Sequence, residues 1–137
     1  MPMNKKFLLL LKRPRACVLI FFLLYFALGV SIYKDYGISW DEPWHREIAS
    51  VSAKYMASIF MPDFQPPEFA SLPALATYPM KQYGIVFDFP MYVADRLLGY
   101  NGTMPEVYYL RHLCAFLLFY VSVFFFYLIV RNRFNSW

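Results

Sequence analysis

Acidic residues are missing from both ends of this chain. All nine aspartates and glutamates lie between Asp35 and Glu106, whereas seven of the thirteen lysines and arginines lie before residue 16 or after residue 130. Charged residues are also few overall, at 16%, against 60% hydrophobic residues. This composition argues against a water-soluble protein. The excess of positive charge at both ends, where no acid accompanies it, indicates membrane topology, and no nucleic-acid partner is expected.

Cysteine and glycine are scarce too, with two and five residues. Cys17 and Cys114 belong to different apolar segments, near opposite membrane faces, so helical rise separates them by ~20 Å or more, which a disulfide cannot span. The sequence contains no phosphate-binding glycine loop, dinucleotide-binding glycine pattern, zinc-finger spacing or Gly-x-Ser-x-Gly elbow. Soluble nucleotide chemistry therefore has no support.

Two segments of 18 residues carry no charge, at 16–33 and 113–130. As helices they would each extend ~27 Å, close to the hydrocarbon thickness of a bilayer. We predict transmembrane helices at 16–33 and 111–130. The charge distribution then places a basic segment 1–15 and the end 131–137 in the cytoplasm and 34–110 outside it. A cleaved signal peptide is the alternative for the first segment, but its apolar run is longer than a typical signal core.

The segment 34–110 divides into three parts. Apolar residues at helical spacing predict an amphipathic helix over about 40–60, with Trp44, Ile48, Val51, Tyr55 and Ile59 on the face that would lie along the membrane surface. Five prolines predict irregular chain over 61–80. A second short helix is expected over about 86–98, ending at Gly99. The expected fold is therefore an α-helical integral membrane protein with two transmembrane helices joined by a large extracytoplasmic loop.

An acidic pair follows the first apolar segment closely. Asp41 and Glu42 open the predicted helix, and His45 lies one turn after Asp41. Neighbouring acids raise each other's pKa, which would suit one of them as a proton acceptor. Asp41 and His45 share a helix face and would hold a divalent metal or a substrate hydroxyl, although two ligands do not define a metal site. Helix capping by Asp41, favourable dipole interaction of Glu42 and a hydrogen-bonded surface histidine are the structural alternatives.

Four further residues are candidates for substrate binding by position alone. Asp88 opens the second short helix, where a capping role is the alternative. Arg111 and His112 stand where the second apolar segment begins. An arginine there either contacts a lipid phosphate through two hydrogen bonds or extends its charge to the interface. Tyr83 lies between the proline-rich segment and the second short helix.

The order of these parts resembles the N-terminal portion of a GT-C membrane glycosyltransferase. The resemblance lies in a basic start, one apolar segment, a loop opening with "WDEPWH", the sequence "YGIVFDFP", and a second apolar segment entered by "YYLRHL". It is similar to family 39-like enzymes, which include protein O-mannosyltransferases and lipid A aminoarabinose transferases. The resemblance implies sugar transfer from a polyprenyl-phosphate donor to a hydroxyl at the outer face of a bacterial inner membrane. It also implies that Asp41 activates the acceptor or helps to bind a metal, with Glu42 as its acidic neighbour.

Enzymes of that superfamily use many more than two transmembrane helices. We therefore expect a truncated part of such an enzyme, inactive alone, with the remainder of the enzyme or a membrane subunit as partner. The rival hypothesis is a complete protein with two transmembrane helices whose outer part is a binding or assembly module. On that hypothesis Asp41, Glu42 and Asp88 are helix caps.

Overall fold

The computed structural model describes residues 14–134, and within that range the chain is helical and contains no strand. Residues 1–13 and 135–137, which hold most of the predicted basic start and part of the predicted cytoplasmic end, lie outside the described residues. The described chain divides into two compact units. The span unit comprises residues 14–36 and 111–134, and the loop unit comprises residues 37–110. The described helices are α1 Pro14–Ile32, α2 Glu42–Phe60, α3 Asp88–Leu97 and α4 Glu106–Phe134, together with short 3₁₀ helices at Pro67–Ser71 and Leu75–Thr77.

Helices α1 and α4 are long and apolar enough to cross a membrane. Their most apolar windows have mean hydropathies of 2.2 and 2.6, and only 11% and 6% of these windows are buried within the protein. Exposed leucines, valines and phenylalanines therefore cover both helices, whereas a helix in the core of a soluble protein has such side chains buried. The prediction of two helices suited to a bilayer is confirmed to this extent.

Aromatic side chains pack α1 against α4 within the span unit. Phe22 is buried and meets the rings of Tyr120, Phe124 and Tyr127 edge to face at centroid distances of 5.5–5.8 Å. Gly29 is also buried, and a β-carbon there would clash with the Phe116 ring. Glycine is thus required on α1 because the phenyl ring lies directly against its backbone.

The second apolar helix is longer than the predicted 111–130. It begins at Glu106 and runs 29 residues to Phe134. The prediction excluded the residues before the charged Arg111, but a helix continues through charged positions when its backbone hydrogen bonds are satisfied. The amide groups of Tyr108 and Tyr109 both donate to the carbonyl of Pro105 at 3.0–3.1 Å, so the residue just before Glu106 accepts hydrogen bonds from the first turn of the helix.

Helix α2 forms the centre of the loop unit. Ile48 and Val51 are buried against Tyr78, while Ala53 and Ala57 are buried with Phe69. The predicted membrane-facing surface of α2 is therefore not continuous, because the residues in the middle of that surface are buried in the core of the loop unit. At its ends Trp44, Tyr55 and Ile59 stay 44–53% exposed.

The proline-rich segment 61–80 is more ordered than predicted. It contains both 3₁₀ helices, and it supplies two buried aromatic side chains to the core, Phe69 and Tyr78. Lys54 of α2 fixes the segment by donating to the carbonyl of Leu72 at 2.6 Å. Short 3₁₀ turns produce no long apolar period, which explains why the pattern of the sequence predicted irregular chain.

Helix α3 occupies Asp88–Leu97, within the predicted 86–98, and packs against α2. Gly99 follows with a φ of +71°, the left-handed conformation that glycine adopts without steric cost. The amide of Tyr100 then donates to the carbonyl of Asp95 at 2.8 Å and closes the helix end. This packing brings the first residue of α3 beside the first turn of α2.

Candidate functional site

The start of α2 is held by hydrogen bonds from Ser39 to Asp41 and Glu42. The Ser39 amide, two residues before the N-cap, donates to Glu42 Oε2 at 2.9 Å. The Ser39 hydroxyl donates to Asp41 Oδ1 at 2.6 Å. Asp41 occupies the N-cap position, but its side chain makes no capping hydrogen bond. Both carboxylates therefore have a partner in Ser39, and the Asp41 carboxylate, which is 52% exposed, also lies beside His45.

The pKa of Asp41 differs from the expectation drawn from the acidic pair. The expectation was a raised pKa, yet the hydrogen bond from the Ser39 hydroxyl lowers the pKa of Asp41 below its usual value, aided by a backbone hydrogen bond and the nearby His45. The expectation is wrong because it considered the charge of Glu42 and overlooked the hydroxyl two residues earlier. Asp41 is therefore fully ionised at neutral pH.

His45 lies between two carboxylates. Its Nδ1 is 3.0 Å from Asp88 Oδ2, a hydrogen bond between residues 43 positions apart, and its Nε2 is 3.9 Å from Asp41 Oδ2. The Asp88 side chain is 7% exposed, whereas those of His45 and Asp41 are 35% and 52% exposed. When Nδ1 donates to Asp88, the lone pair of Nε2 is left on the side of Asp41. Asp88 thus orients the imidazole and is not merely a residue of the first helical turn.

A cavity of about 130 Å³ opens beside this pair of side chains. The edge of the Tyr83 ring meets the His45 ring at a centroid distance of 5.8 Å. The residues that line the cavity are mostly aromatic or apolar: Trp40, Asp41, Trp44, His45, Ile48, Met80 and Tyr83. Three of the predicted candidates, Asp41, His45 and Tyr83, therefore meet at one cavity, with Asp88 directly behind the imidazole.

Three other candidates lie elsewhere. Glu42 is outside the cavity lining and is bound to the Ser39 amide. Arg111 and His112 belong to the span unit, where Arg111 is 4% exposed and the His112 ring meets Tyr36 edge to face at 5.8 Å. Burial of Arg111 differs from the predicted interfacial side chain that reaches toward lipid or water.

The sequence pattern missed part of the cavity and three hydrogen bonds elsewhere in the loop unit. Trp40 and Trp44 are spaced one helical turn apart beside the acidic pair, and this spacing was a usable signal. Met80 gave no signal, because it reaches the cavity only through the fold of the proline-rich segment. Nearby, Tyr78 donates to Glu47 Oε2 at 3.0 Å. Arg46 donates to the Gly102 carbonyl at 3.1 Å and to the Tyr108 hydroxyl at 3.2 Å.

A divalent metal stays a prediction. Within residues 14–134 no group of three or more His, Cys, Asp or Glu side chains is placed to hold an ion. Asp41 and His45 supply two donors at the cavity, and the second nitrogen of His45 is engaged by Asp88. Carboxylates also accept a hydrogen bond from the second nitrogen of metal-bound histidines. The arrangement is therefore compatible with a metal whose other ligands come from a bound molecule.

The chemistry available here is that of an ionised carboxylate and an oriented imidazole at the edge of an aromatic cavity. Such a pair can accept a proton from a hydroxyl, and the aromatic walls can hold a small ligand. Comparison with protein-family models, curated proteins and solved structures found no match. The cavity and the two apolar helices are therefore the features of the molecule that bear on its function.

Proposed function

We propose that this chain is part of a membrane glycosyltransferase of the GT-C type. It would transfer a sugar from a polyprenyl-phosphate donor to a hydroxyl acceptor at the outer membrane face. The observation that carries the proposal is the Asp41 carboxylate, which is exposed at the mouth of an aromatic cavity and lies beside His45. Two apolar helices that flank this unit in sequence suit a lipid-linked donor, whose long hydrocarbon chain stays in the bilayer.

In the proposed reaction the acceptor hydroxyl loses its proton to Asp41. The hydroxyl oxygen forms a bond to the anomeric carbon of the sugar, the bond from that carbon to the phosphate oxygen breaks, and polyprenyl phosphate leaves with the electron pair. Inversion at the anomeric carbon is expected by analogy alone. Because the pKa of Asp41 is lowered, the carboxylate is a weak base, and the proton transfers only as the new carbon–oxygen bond makes the hydroxyl acidic.

His45 supports Asp41 in this scheme. Its imidazole is fixed at Nδ1 by the buried Asp88 carboxylate and faces Asp41 through Nε2. A histidine held in this way can take up the proton from Asp41 at Nε2 and pass it onward. The orientation of its imidazole depends on the packing of α3 against α2, which places Asp88 beside the ring.

The test is sugar transfer by the full-length gene product in lipid nanodiscs, with radiolabelled polyprenyl-phosphate sugars as donors. Asp41→Asn keeps the side-chain shape and removes the base, so transfer should fall by roughly 10²- to 10⁴-fold. Asp63→Asn is the matched control, because Asp63 is exposed and lies beyond the far end of α2, ~28 Å along the helix. Near-normal transfer by Asp41→Asn would remove Asp41 from the catalytic role.

One observation favours the rival function, a binding or assembly module. The hydrogen bonds of Ser39 to Glu42 and Asp41 give both acids a structural role at the start of α2. If that is their whole role, Asp41→Asn and Ser39→Ala should weaken capture of a partner membrane protein equally. The wild-type protein should then transfer no sugar from any polyprenyl-phosphate donor, which is the result that separates the two functions.

A further inference from the structure

The walls of the cavity beside Asp41 combine aromatic rings with one sign of charge. Trp40, Trp44 and Tyr83 contribute three rings, and Ile48 and Met80 complete the apolar surface. Asp41 is the acidic lining residue, and the described residues that line the cavity include no lysine or arginine. An aromatic wall with a carboxylate at its edge attracts cations, because the ring faces are negative.

His45 does not reverse this charge preference. Its Nδ1 faces the Asp88 carboxylate at 3.0 Å, so a proton on the imidazole is met by a negative group outside the cavity. A phosphate or carboxylate group inside the cavity would lie against Asp41 with no lysine or arginine among the described lining residues, so the donor phosphate of the proposed reaction must lie outside these walls. For one charge pair near a surface, the affinity for a cationic ligand should therefore exceed the affinity for an anionic ligand by several-fold to roughly tenfold.

The apolar character of the walls narrows the kind of cation. A primary ammonium or a metal ion is strongly hydrated, and an aromatic and aliphatic wall replaces few of the hydrogen bonds that it would lose. A methylated ammonium is weakly hydrated and contacts aromatic faces well. The cavity measures about 130 Å³ and is partly open to solvent, with Trp40 83% exposed, so it can admit a group of this size without closing around it.

We propose that this cavity binds a methylated ammonium group, such as the trimethylammonium of choline. The inference goes beyond the proposed function, because the bound group is neither the reacting hydroxyl nor the donor phosphate. Two sources carry this chemistry: the head group of a membrane lipid and a soluble choline-like molecule. The site is the same for both, with Trp40 and Trp44 beside the cation and Asp41 as the charge partner.

Choline is the probe for the first experiment, with the full chain in nanodiscs of phosphatidylglycerol. The fluorescence of Trp40 and Trp44 is followed in a Trp137→Phe background, which removes the third tryptophan of the sequence. We expect a saturable change with choline. Dimethylbutanol, in which a tert-butyl group replaces the trimethylammonium, should bind roughly tenfold more weakly. Equal responses to both molecules, or no saturable change with choline, would overturn the inference.

Asp41→Asn tests the charge partner. Choline affinity should fall about tenfold, and dimethylbutanol affinity should stay unchanged, which shows that the cavity is still folded. Asp63→Asn, with the same chemical change on the far side of the loop unit, should bind choline as the wild type does. If Asp41→Asn binds choline as tightly as the wild type, the carboxylate is not the partner and the proposal fails.

The source of the ammonium is distinguished by adding phosphatidylcholine to the nanodiscs. Weaker apparent binding of free choline in mixed discs would identify a lipid head group as occupant, and equal binding would identify a soluble ligand. Both results depend on binding alone. Failure of choline to bind therefore leaves the sugar-transfer test of Asp41 intact, and failure of transfer leaves the choline result intact.

Discussion

The hydrogen bond from Tyr78 to Glu47 offers a test of what holds the candidate site in place. Tyr78 is 3% exposed and packs on Ile48 and Val51, and its hydroxyl donates to Glu47 Oε2 at 3.0 Å. Tyr78→Phe removes the hydroxyl and keeps the ring. A hydrogen bond to a charged group contributes ~1.5–3 kcal/mol to the free energy of unfolding. Because Glu47 is only partly buried, water replaces part of the loss, and we expect a cost of about 1–2 kcal/mol.

The same contact predicts a dependence on pH. Burial, followed by the hydrogen bond and charge of Glu47, raises the pKa of Tyr78 to about 12 from its usual value near 10. A folded-state pKa above the unfolded value means that the stabilisation is complete below pH ~10 and is lost as the pH rises toward 12. The stability difference between wild type and Tyr78→Phe should therefore be full at neutral pH and shrink across that window.

The assay is thermal unfolding of the full chain in detergent, followed by circular dichroism at about pH 8 and about pH 11. For a unit of this size the expected cost lowers the midpoint by about 5–10 °C at the lower pH. Tyr55→Phe is the control, because Tyr55 lies on α2 with Glu47 but is 51% exposed. The reasoning is refuted if Tyr78→Phe melts with the wild type at the lower pH, or if both variants change the midpoint equally.

Two further predictions concern other parts of the chain. Gly29→Leu places a side chain in the space of the Phe116 ring and should weaken the packing of α1 on α4 by ~1–3 kcal/mol, measured as a lower unfolding midpoint in detergent. Phe116→Ala should restore part of that loss in the double variant, and a lack of any rescue would contradict the contact. Ser39→Ala should raise the lowered pKa of Asp41 toward 3.8, measured by NMR titration of the carboxyl carbon. The stability that the ionised Asp41 supplies is present above its unfolded pKa and is lost as the pH falls through its folded pKa. This acid-induced loss of stability should therefore be smaller in Ser39→Ala. An unchanged titration of Asp41 would show that the Ser39 hydroxyl is not the cause of the lowered pKa.

Much of the helical architecture follows from local sequence pattern. Uncharged runs of 18 residues predict helices long enough for a bilayer, and α1 and α4 have that length and composition. The 3.6-residue period from Trp44 onward predicts a helix in the segment where α2 lies. In both places the signal is carried by neighbouring residues, so the rest of the fold is not needed to detect it.

The contacts that build the cavity are not local. The partner of His45 lies 43 positions away, and no property of Asp88 on its own distinguishes an orienting carboxylate from a first-turn acid. The burial of Tyr78 depends on two 3₁₀ turns whose period is too short to detect. The lowered pKa of Asp41 depends on which way the Ser39 hydroxyl turns, and side-chain direction is set by the folded backbone.

The hydrogen bond between His45 and Asp88 has a consequence for the order in which the loop unit folds. Asp41 and His45 are neighbours as soon as α2 forms, but the wall from Met80 and Tyr83 arrives only when the intervening chain has closed on itself. Closing a loop of this length costs conformational entropy before any contact repays it. The cavity should therefore be the last feature of the unit to form and the first to be lost, while α2 persists. A ligand that fills the cavity should therefore stabilise the whole segment between α2 and α3.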